Sequence, residues 1–265
     1  MPSESRARAA AAPLPGPHAA LRAGVVWEVL RAALVRRAEA AGRQALDVLD
    51  TGGGSGSFAV PVAGLGHRVT VVDPSPDALF ALERRAAEEG VADRVTGVQG
   101  DTHDLLDVAG RERYDLVLCH GVLEHVDDPA AALRAVAGAL RPAGGTVSLL
   151  VAGAGGAVLS RALAGRFTEA RQVLADPAGR WGEGDPVPHR FTVERLAELV
   201  GAAGLVPGEV QGVGIFADLV PGSLMDAEPA ALQALTSLEA EAAALPAFQA
   251  IAGRLHLLAG LPGDQ

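Results

Sequence analysis

The 265-residue chain contains no lysine, no asparagine and a single cysteine, and only 3% of it is aromatic. All 22 of its basic side chains are therefore arginine. Without lysine there is no Schiff-base nucleophile and no Walker-type phosphate loop. With Cys119 alone, neither an intrachain disulfide nor a cysteine-based zinc site can form, so no metal is expected. Cysteine usage fits a cytoplasmic location. The shortage of aromatics, with isoleucine confined to Ile215 and Ile251, leaves Ala, Val and Leu to build the core. Positive charge is short as well: 22 basic residues against 32 acidic ones give a net charge of −10. That balance lacks the basic footprint of a general nucleic-acid binder, although it leaves room for a local patch. The N-terminus has no apolar stretch of signal-peptide length. The one long uncharged run, Pro142–Ser160, contains Gly144, Gly145, Gly153, Gly155 and Gly156. It reads as a buried strand entering a loop rather than as a membrane span.

What is present is ordinary for a globular protein: 49% hydrophobic and 20% charged residues. Residues 1–19, rich in Ala, Pro and Arg, read as a disordered tail. A helical stripe of Leu21, Val25, Val29, Leu30 and Leu34 follows and ends at Gly42. Short apolar runs then alternate with helical stretches. Strands are predicted at Ala45–Leu49, Arg68–Val72, Val95–Gln99, Tyr114–Cys119 and Gly145–Val151, and helices at Phe58–Leu65, Pro76–Glu89 and Pro129–Leu140. This alternation predicts an α/β fold with parallel strands. The run Leu116–Leu118 suits a strand covered on both faces. Beyond Gly153 the pattern loosens. A helix is predicted at Ala157–Leu163, irregular chain through Gly184, a helix at Val193–Ala203, a strand at Val206–Phe216, a helix at Pro229–Leu245 and a last strand at Arg254–Ala259.

The strongest local signal is Val48-Leu49-Asp50-Thr51-Gly52-Gly53-Gly54-Ser55-Gly56 before a helix. Glycines there permit positive φ and close approach of a ligand, and a helix N-terminus behind them suits an anionic group. Asp73 ends the next strand, where a carboxylate can accept both hydroxyls of a ribose. Gly54-Ser55-Gly56-Ser57-Phe58-Ala59 also fits the G-x-G-x-x-A form of a nicotinamide dinucleotide site. A glycine-rich turn without a ligand is the plainer alternative. Asp101, in Gly100-Asp101-Thr102-His103-Asp104, is placed to accept from an adenine amino group, with Thr102 or His103 N–H donating to a ring nitrogen.

With Asp115-Leu116-Val117-Leu118-Cys119-His120-Gly121-Val122-Leu123-Glu124-His125 and Leu140-Arg141-Pro142-Ala143-Gly144-Gly145, these segments resemble class I S-adenosylmethionine-dependent methyltransferases of the type 11 group, from about Leu46 to Val151. The resemblance implies a Rossmann-like, mostly parallel seven-stranded sheet with helices on both faces and an antiparallel last strand. It implies one domain over residues 20–265, with helical cap elements around 157–189 and 221–250. The flanks, including Leu21-Arg22, Leu163-Ala164-Gly165-Arg166-Phe167, Gly212–Phe216 and Leu255-His256-Leu257, are similar to the CmoM-like family. Its characterised member methylates the carboxylate of carboxymethoxyuridine in tRNA. By that resemblance Arg22 clamps the methionyl carboxylate, Asp50, Gly52, Gly53 and Gly54 line the cofactor, and Asp73 holds the ribose. Asp101, Thr102 and His103 flank the adenine, and His120 lies under the methionyl arm.

The resemblance thins on the acceptor side. Gly214 stands where the family has Arg, Leu219 near its Tyr, Gly153 near its Asn, and Gly253-Arg254 replaces an Arg-Tyr pair. Arg166, His189, Arg190 and Arg254 are the candidate substrate contacts, and His189 or His256 could act as a base if the acceptor carries a proton. Glu124 and His125 read as cap or scaffold, and Trp181 as a lid or an anchor. The charge and the missing arginines favour a small-molecule acceptor, a carboxylate or hydroxyl, over the tRNA wobble nucleoside. A nicotinamide oxidoreductase and a non-catalytic cofactor-binding protein are the alternatives of other classes.

Overall fold

The computed structural model describes residues 17–142, 144–221 and 229–262, with the backbone alone for residues 17–22 and 229. The tail expected over 1–19 falls outside the described residues as far as residue 16, and helix α1 (Pro17–Ala41) already begins within its last part. Gly42 ends α1 with a φ of 61°, as its position after the apolar stripe predicts.

The elements that follow are β1 (Asp47–Thr51), α2 (Ala59–Gly64), β2 (Arg68–Asp73), α3 (Pro76–Glu88), β3 (Val95–Gln99), α4 (Leu105–Val108), β4 (Leu116–His120), α5 (Pro129–Ala139) and β5 (Thr146–Ala152). Then come α6 (Ala154–Leu163), α7 (Phe167–Ala175), α8 (Val193–Ala202), β6 (Val206–Val213), α9 (Pro229–Ala242), α10 (Pro246–Gln249) and β7 (Arg254–Gly260). They form a seven-stranded sheet in the order β3-β2-β1-β4-β5-β7-β6. Strands β1 to β5 pair in parallel, and β7 runs antiparallel to both β5 and β6. Three corrections concern the later half. α6 starts at Ala154, β6 stops at Val213, and α7 occupies a stretch read from sequence as irregular. Of the cap expected at 221–250, residues 222–228 lie outside the described residues.

Alternation along β4 explains its unbroken apolar sequence. Leu116 and Leu118 pack into a core with α1, α2 and α3 residues such as Leu30, Val62 and Leu82. Val117 and Cys119 point the other way, into a core with Leu133 and Val136 of α5 and Leu196 of α8. Both cores are mostly Leu, Val and Ala, and Phe191 is the one phenylalanine among the largest fully buried side chains. Each buried Leu or Val contributes roughly 1.5–3 kcal/mol relative to exposure.

At the N-terminal edge of the sheet, Asp115 is fully buried. It accepts from the Asp47 N–H at 2.9 Å and from the Arg43 guanidinium, with Arg37 and Arg141 each 3.6 Å away. One carboxylate thus ties α1, β1, β4 and the turn before β5 together. Among the described residues no helix is long and apolar enough to cross a membrane.

Candidate active site

The C-terminal edge of the parallel strands brings the glycine loop, Asp73, Asp101, His120 and Arg254 to one side of the sheet. Gly52 leaves β1 with φ 65° and donates its N–H to Val72 O at 2.7 Å. A Cβ on Gly52 would stand 2.6 Å from a Val122 methyl, and one on Gly53 would stand 2.5 Å from the Asp50 carboxyl carbon. Gly54 has φ 55°, and a Cβ there meets nothing nearer than Asp73 Oδ2 at 4.0 Å. The loop is therefore clamped from below at Gly52 and Gly53 and open above Gly54, a cradle a side chain would fill. Asp73 fixes its rim, accepting from Gly54 N–H through Oδ2 and from Ser75 N–H through Oδ1, both at 2.9 Å. A carboxylate has about four acceptor sites, so two remain for ligand hydroxyls.

Two acids face this loop. Burial, and secondarily the Asp73 charge, push the Asp50 carboxyl up to about 7. Helix α2 behind the loop has only six residues, so the dipole expected to attract an anion is short. A pyrophosphate would meet two carboxylates and little compensating positive potential. A ribose and a cationic group fit the same place well. This favours a sulfonium cofactor over a dinucleotide.

The adenine-side segment differs in detail from expectation. The His103 N–H, expected to meet a ring nitrogen, donates to Asp101 Oδ1 at 2.6 Å. That bond holds the Asp101 carboxyl below its usual range; Asp101 and His103 are exposed and Thr102 is half-buried, beside the tip of β3. Arg22 stands on α1 one turn before Val26, which is buried against Leu150 and Val213. Its side chain lies outside the described residues.

His120 ends β4 and bonds through Nε2 to Ser148 Oγ at 2.8 Å. The same hydroxyl reaches His256 Nε2 at 2.8 Å. Phe58 meets the His120 ring edge-on at 4.8 Å. Burial lowers His120 well below the ordinary histidine value and lowers His256 to about 4. Both rings are thus neutral at pH 7. His120 Nδ1 is buried without a hydrogen-bond partner among the described residues.

Other expected contacts are redistributed. His256 is 1% exposed inside the β5–β7 ladder. Arg190 is 6% exposed. Its guanidinium bonds Asp185 at 2.6 and 3.1 Å and Gly179 O at 2.9 Å, and it stacks on Trp181. It braces this loop and also lines a cavity of about 190 Å³ at the ends of β5, β6 and β7. Trp181 is correspondingly an anchor, sandwiched with Arg161 as well. Arg166 caps α7 with a largely exposed side chain 3.6 Å from Glu169, an ordinary surface charge. His189 donates its N–H to Glu124 O at 3.2 Å, and its Nδ1 is buried without a partner among the described residues. Arg254 opens β7 opposite Ala152, at the site edge, and acts electrostatically on both His120 and Glu124.

Sequence reading passed over Ser148 and took Glu124 for cap or scaffold. A serine in the apolar run Val147–Val151 was the available signal for the first. The second is 3% exposed, although its place after β4 suggested a simple cap. A cleft of about 1100 Å³ opens at the opposite edge near Arg37, Arg43 and Arg141, whose charges face Asp47 and Asp115. A smaller cavity of about 190 Å³ adjoins the site at the ends of β5, β6 and β7.

The strand order is that of the Rossmann-like class I methyltransferase fold. Comparison with known proteins agrees. Residues 49–147 match a family described as a methyltransferase domain. The tRNA 5-carboxymethoxyuridine methyltransferase of Escherichia coli strain K12 is 34% identical over 147 residues, 56% of this chain and 54% of that protein. The chain thus matches about half the length of that relative. A ubiquinone biosynthesis O-methyltransferase of Methylobacterium sp. strain 4-46 is 35% identical over 63% of each chain. Among solved structures, the Burkholderia thailandensis 1,6-didemethyltoxoflavin-N1-methyltransferase with bound S-adenosylhomocysteine aligns over 95% of this chain and 92% of its own, with a TM-score of 0.52 and 24% identity.

Proposed function

We propose that the protein transfers a methyl group from S-adenosylmethionine to an oxygen of a small-molecule acceptor. The observation that carries this reading is the cradle above Gly54, rimmed by Asp73 and backed by Asp50. Asp73 would hold the ribose hydroxyls with its remaining lone pairs, and Gly52 and Gly53 would let the methionyl arm approach the backbone. Asp101 and Thr102 would border the adenine. His120, neutral and braced by Ser148, would present Nδ1 toward the arm. Arg22 remains the candidate for the methionyl carboxylate, a task suited to a guanidinium. The bound cofactor supplies an electrophilic methyl group on a sulfonium. The chain's part is to align the acceptor and exclude water.

The acceptor side supports a small molecule. The cavity there holds about 190 Å³, with Ile215, Leu219 and Ile251 as apolar wall. Similarity to a ubiquinone biosynthesis O-methyltransferase points the same way. The second reading, a tRNA wobble nucleoside, rests on the similarity to the E. coli enzyme. Labelled cofactor offered with a metabolite extract and with total tRNA separates them: label in the small-molecule fraction is expected. Label confined to tRNA would replace the first reading with the second.

A further inference from the structure

We propose that the cleft at the N-terminal edge of the parallel strands is a second binding site, for an organic di- or triphosphate. The inference is independent of the methyl-transfer reading. The cleft offers about 1100 Å³ and is lined by Arg36 and Arg37 of α1, Arg43 of the turn after it and Arg141 of the turn after α5. No carboxylate among the described residues lines it, although the chain has 32 acidic residues against 22 basic ones. Glu39 and Glu209, the acids nearest in sequence on α1 and β6, are exposed and outside the lining.

The arginines outnumber the acids that hold them. Arg37, Arg43 and Arg141 gather on the buried Asp115, and Arg43 and Arg141 also approach Asp47 at 3.6 and 3.2 Å. Arg36 is exposed and pairs with no carboxylate among the described residues. Four positive charges against two negative ones leave a local excess of positive charge in a chain of net charge −10. Donors are in larger excess, since four guanidinium groups carry about twenty N–H and two carboxylates about eight acceptor sites. Some of those sites are spent elsewhere, on the Asp47 N–H and on Arg68. Arg141 Nε is buried without a hydrogen-bond partner among the described residues. A lattice that only tied the sheet edge would need no more cations than Asp47 and Asp115 neutralise, because each further guanidinium repels the rest. A multiply charged anion removes that repulsion and takes the spare donors in bidentate pairs. Gly144, at φ 80°, keeps the space for one of them: a Cβ there would overlap Arg37 Nη1.

The rest of the lining indicates the other half of the ligand. Strands follow one another along this edge as β1, β4, β5, β7 and β6. Arg43 and Arg141 stand beside β1 and β5, and Val206, Pro207 and Pro262 stand at the ends of β6 and β7. One end of the cleft is thus cationic and the other apolar. The volume far exceeds a single phosphate and suits an organic molecule of nucleotide size. Basic residues confined to one cleft of an acidic chain do not make the stripe that tracks a nucleic-acid backbone. The glycine loop lies at the far end of the five-residue β1, about 16 Å away along the strand, so both sites can be filled at once.

Calorimetry on the full chain tests the site with inorganic triphosphate, inorganic diphosphate, adenosine diphosphate and sulfate, each with and without excess S-adenosylhomocysteine. One site for triphosphate and for adenosine diphosphate is expected under both conditions, with sulfate ~10-fold weaker or worse. Adenosine diphosphate should bind more tightly than inorganic diphosphate, through the apolar end. Arg36→Ala is the decisive variant, because Arg36 stands outside the lattice of Asp47 and Asp115. Its melting temperature should match wild type, and its triphosphate affinity should fall ~10-fold or more, the size of one lost charge-assisted hydrogen bond. Absence of binding, equal affinity in Arg36→Ala, or sulfate as tight as triphosphate overturns the proposal. So does a site that S-adenosylhomocysteine abolishes, or adenosine diphosphate no tighter than inorganic diphosphate. A uridine dodecanucleotide that binds more tightly than adenosine diphosphate overturns it in favour of RNA.

Discussion

The half of the sheet that we propose holds the cofactor, β1 to β3, and the half that we propose holds the acceptor, β4 to β7, are wired over different lengths of chain. Asp73 accepts from Ser75 two residues away and from Gly54 nineteen away. The His120–Ser148–His256 chain spans 28 residues in its first bond and 108 in its second. The first half makes its site from a strand, a turn and the next strand. The second makes its site from elements that meet only when β7 inserts between β5 and β6. Local wiring leaves a readable pattern of glycines and acids; distant wiring leaves single residues whose partners depend on the topology.

The largest expected effect breaks the acceptor half and spares the other. Arg190→Met strands the fully buried Asp185 carboxylate, whose partner is itself 6% exposed. Removing one member of such a pair costs ~3–5 kcal/mol. Denaturant unfolding should show a loss of that size, and calorimetry should show unchanged affinity for S-adenosylhomocysteine.

The reverse experiment is Gly52→Ala. It forces a side chain into φ 65° and against Val122. A strained left-handed residue costs ~1–3 kcal/mol, and here the loop carries it. Cofactor affinity should fall along with stability. A fall in stability alone would mean that the cradle does not hold the ligand.

The effects of pH oppose each other. Asp50 is raised in the fold to about 7 from 3.8, so its contribution to stability is present at low pH and lost as pH rises through that window. His256 is lowered to about 4 from 6.5, so its contribution is present above 6.5 and lost as pH falls toward 4. Melting temperature against pH should flatten on the rising side in Asp50→Asn and on the falling side in His256→Gln. A variant whose profile matches wild type refutes the corresponding assignment.

The same contrast governs what could be read from sequence. The order of elements through β5 is legible because hydrophobic runs and turn residues are local. Val95–Gln99 agrees end to end, and most other bounds differ by a few residues. Helix α7 escaped because its buried face is two residues, Ala170 and Val173. The four-arginine, two-acid lattice around Asp115 escaped for the opposite reason: its members come from α1, β1, β2 and β5 flanks far apart in sequence. Asp50, the glycines and Asp73 were legible as residues that the fold brings together. The bonds of Arg190 to Asp185 and Gly179 were not legible, because only the fold brings these partners to it, and the burial of Glu124 is likewise invisible in a string of letters.

The account stands on the claim that Asp73 and the glycine loop hold S-adenosylmethionine. Isothermal titration with that cofactor tests it most directly, on wild type and on Asp73→Asn. The account predicts one site in wild type and binding weaker by ~1.5–3 kcal/mol in the variant, the range of a hydrogen bond to a charged group. Wild-type protein that is folded yet binds nothing, or equal affinity in the two proteins, would contradict it.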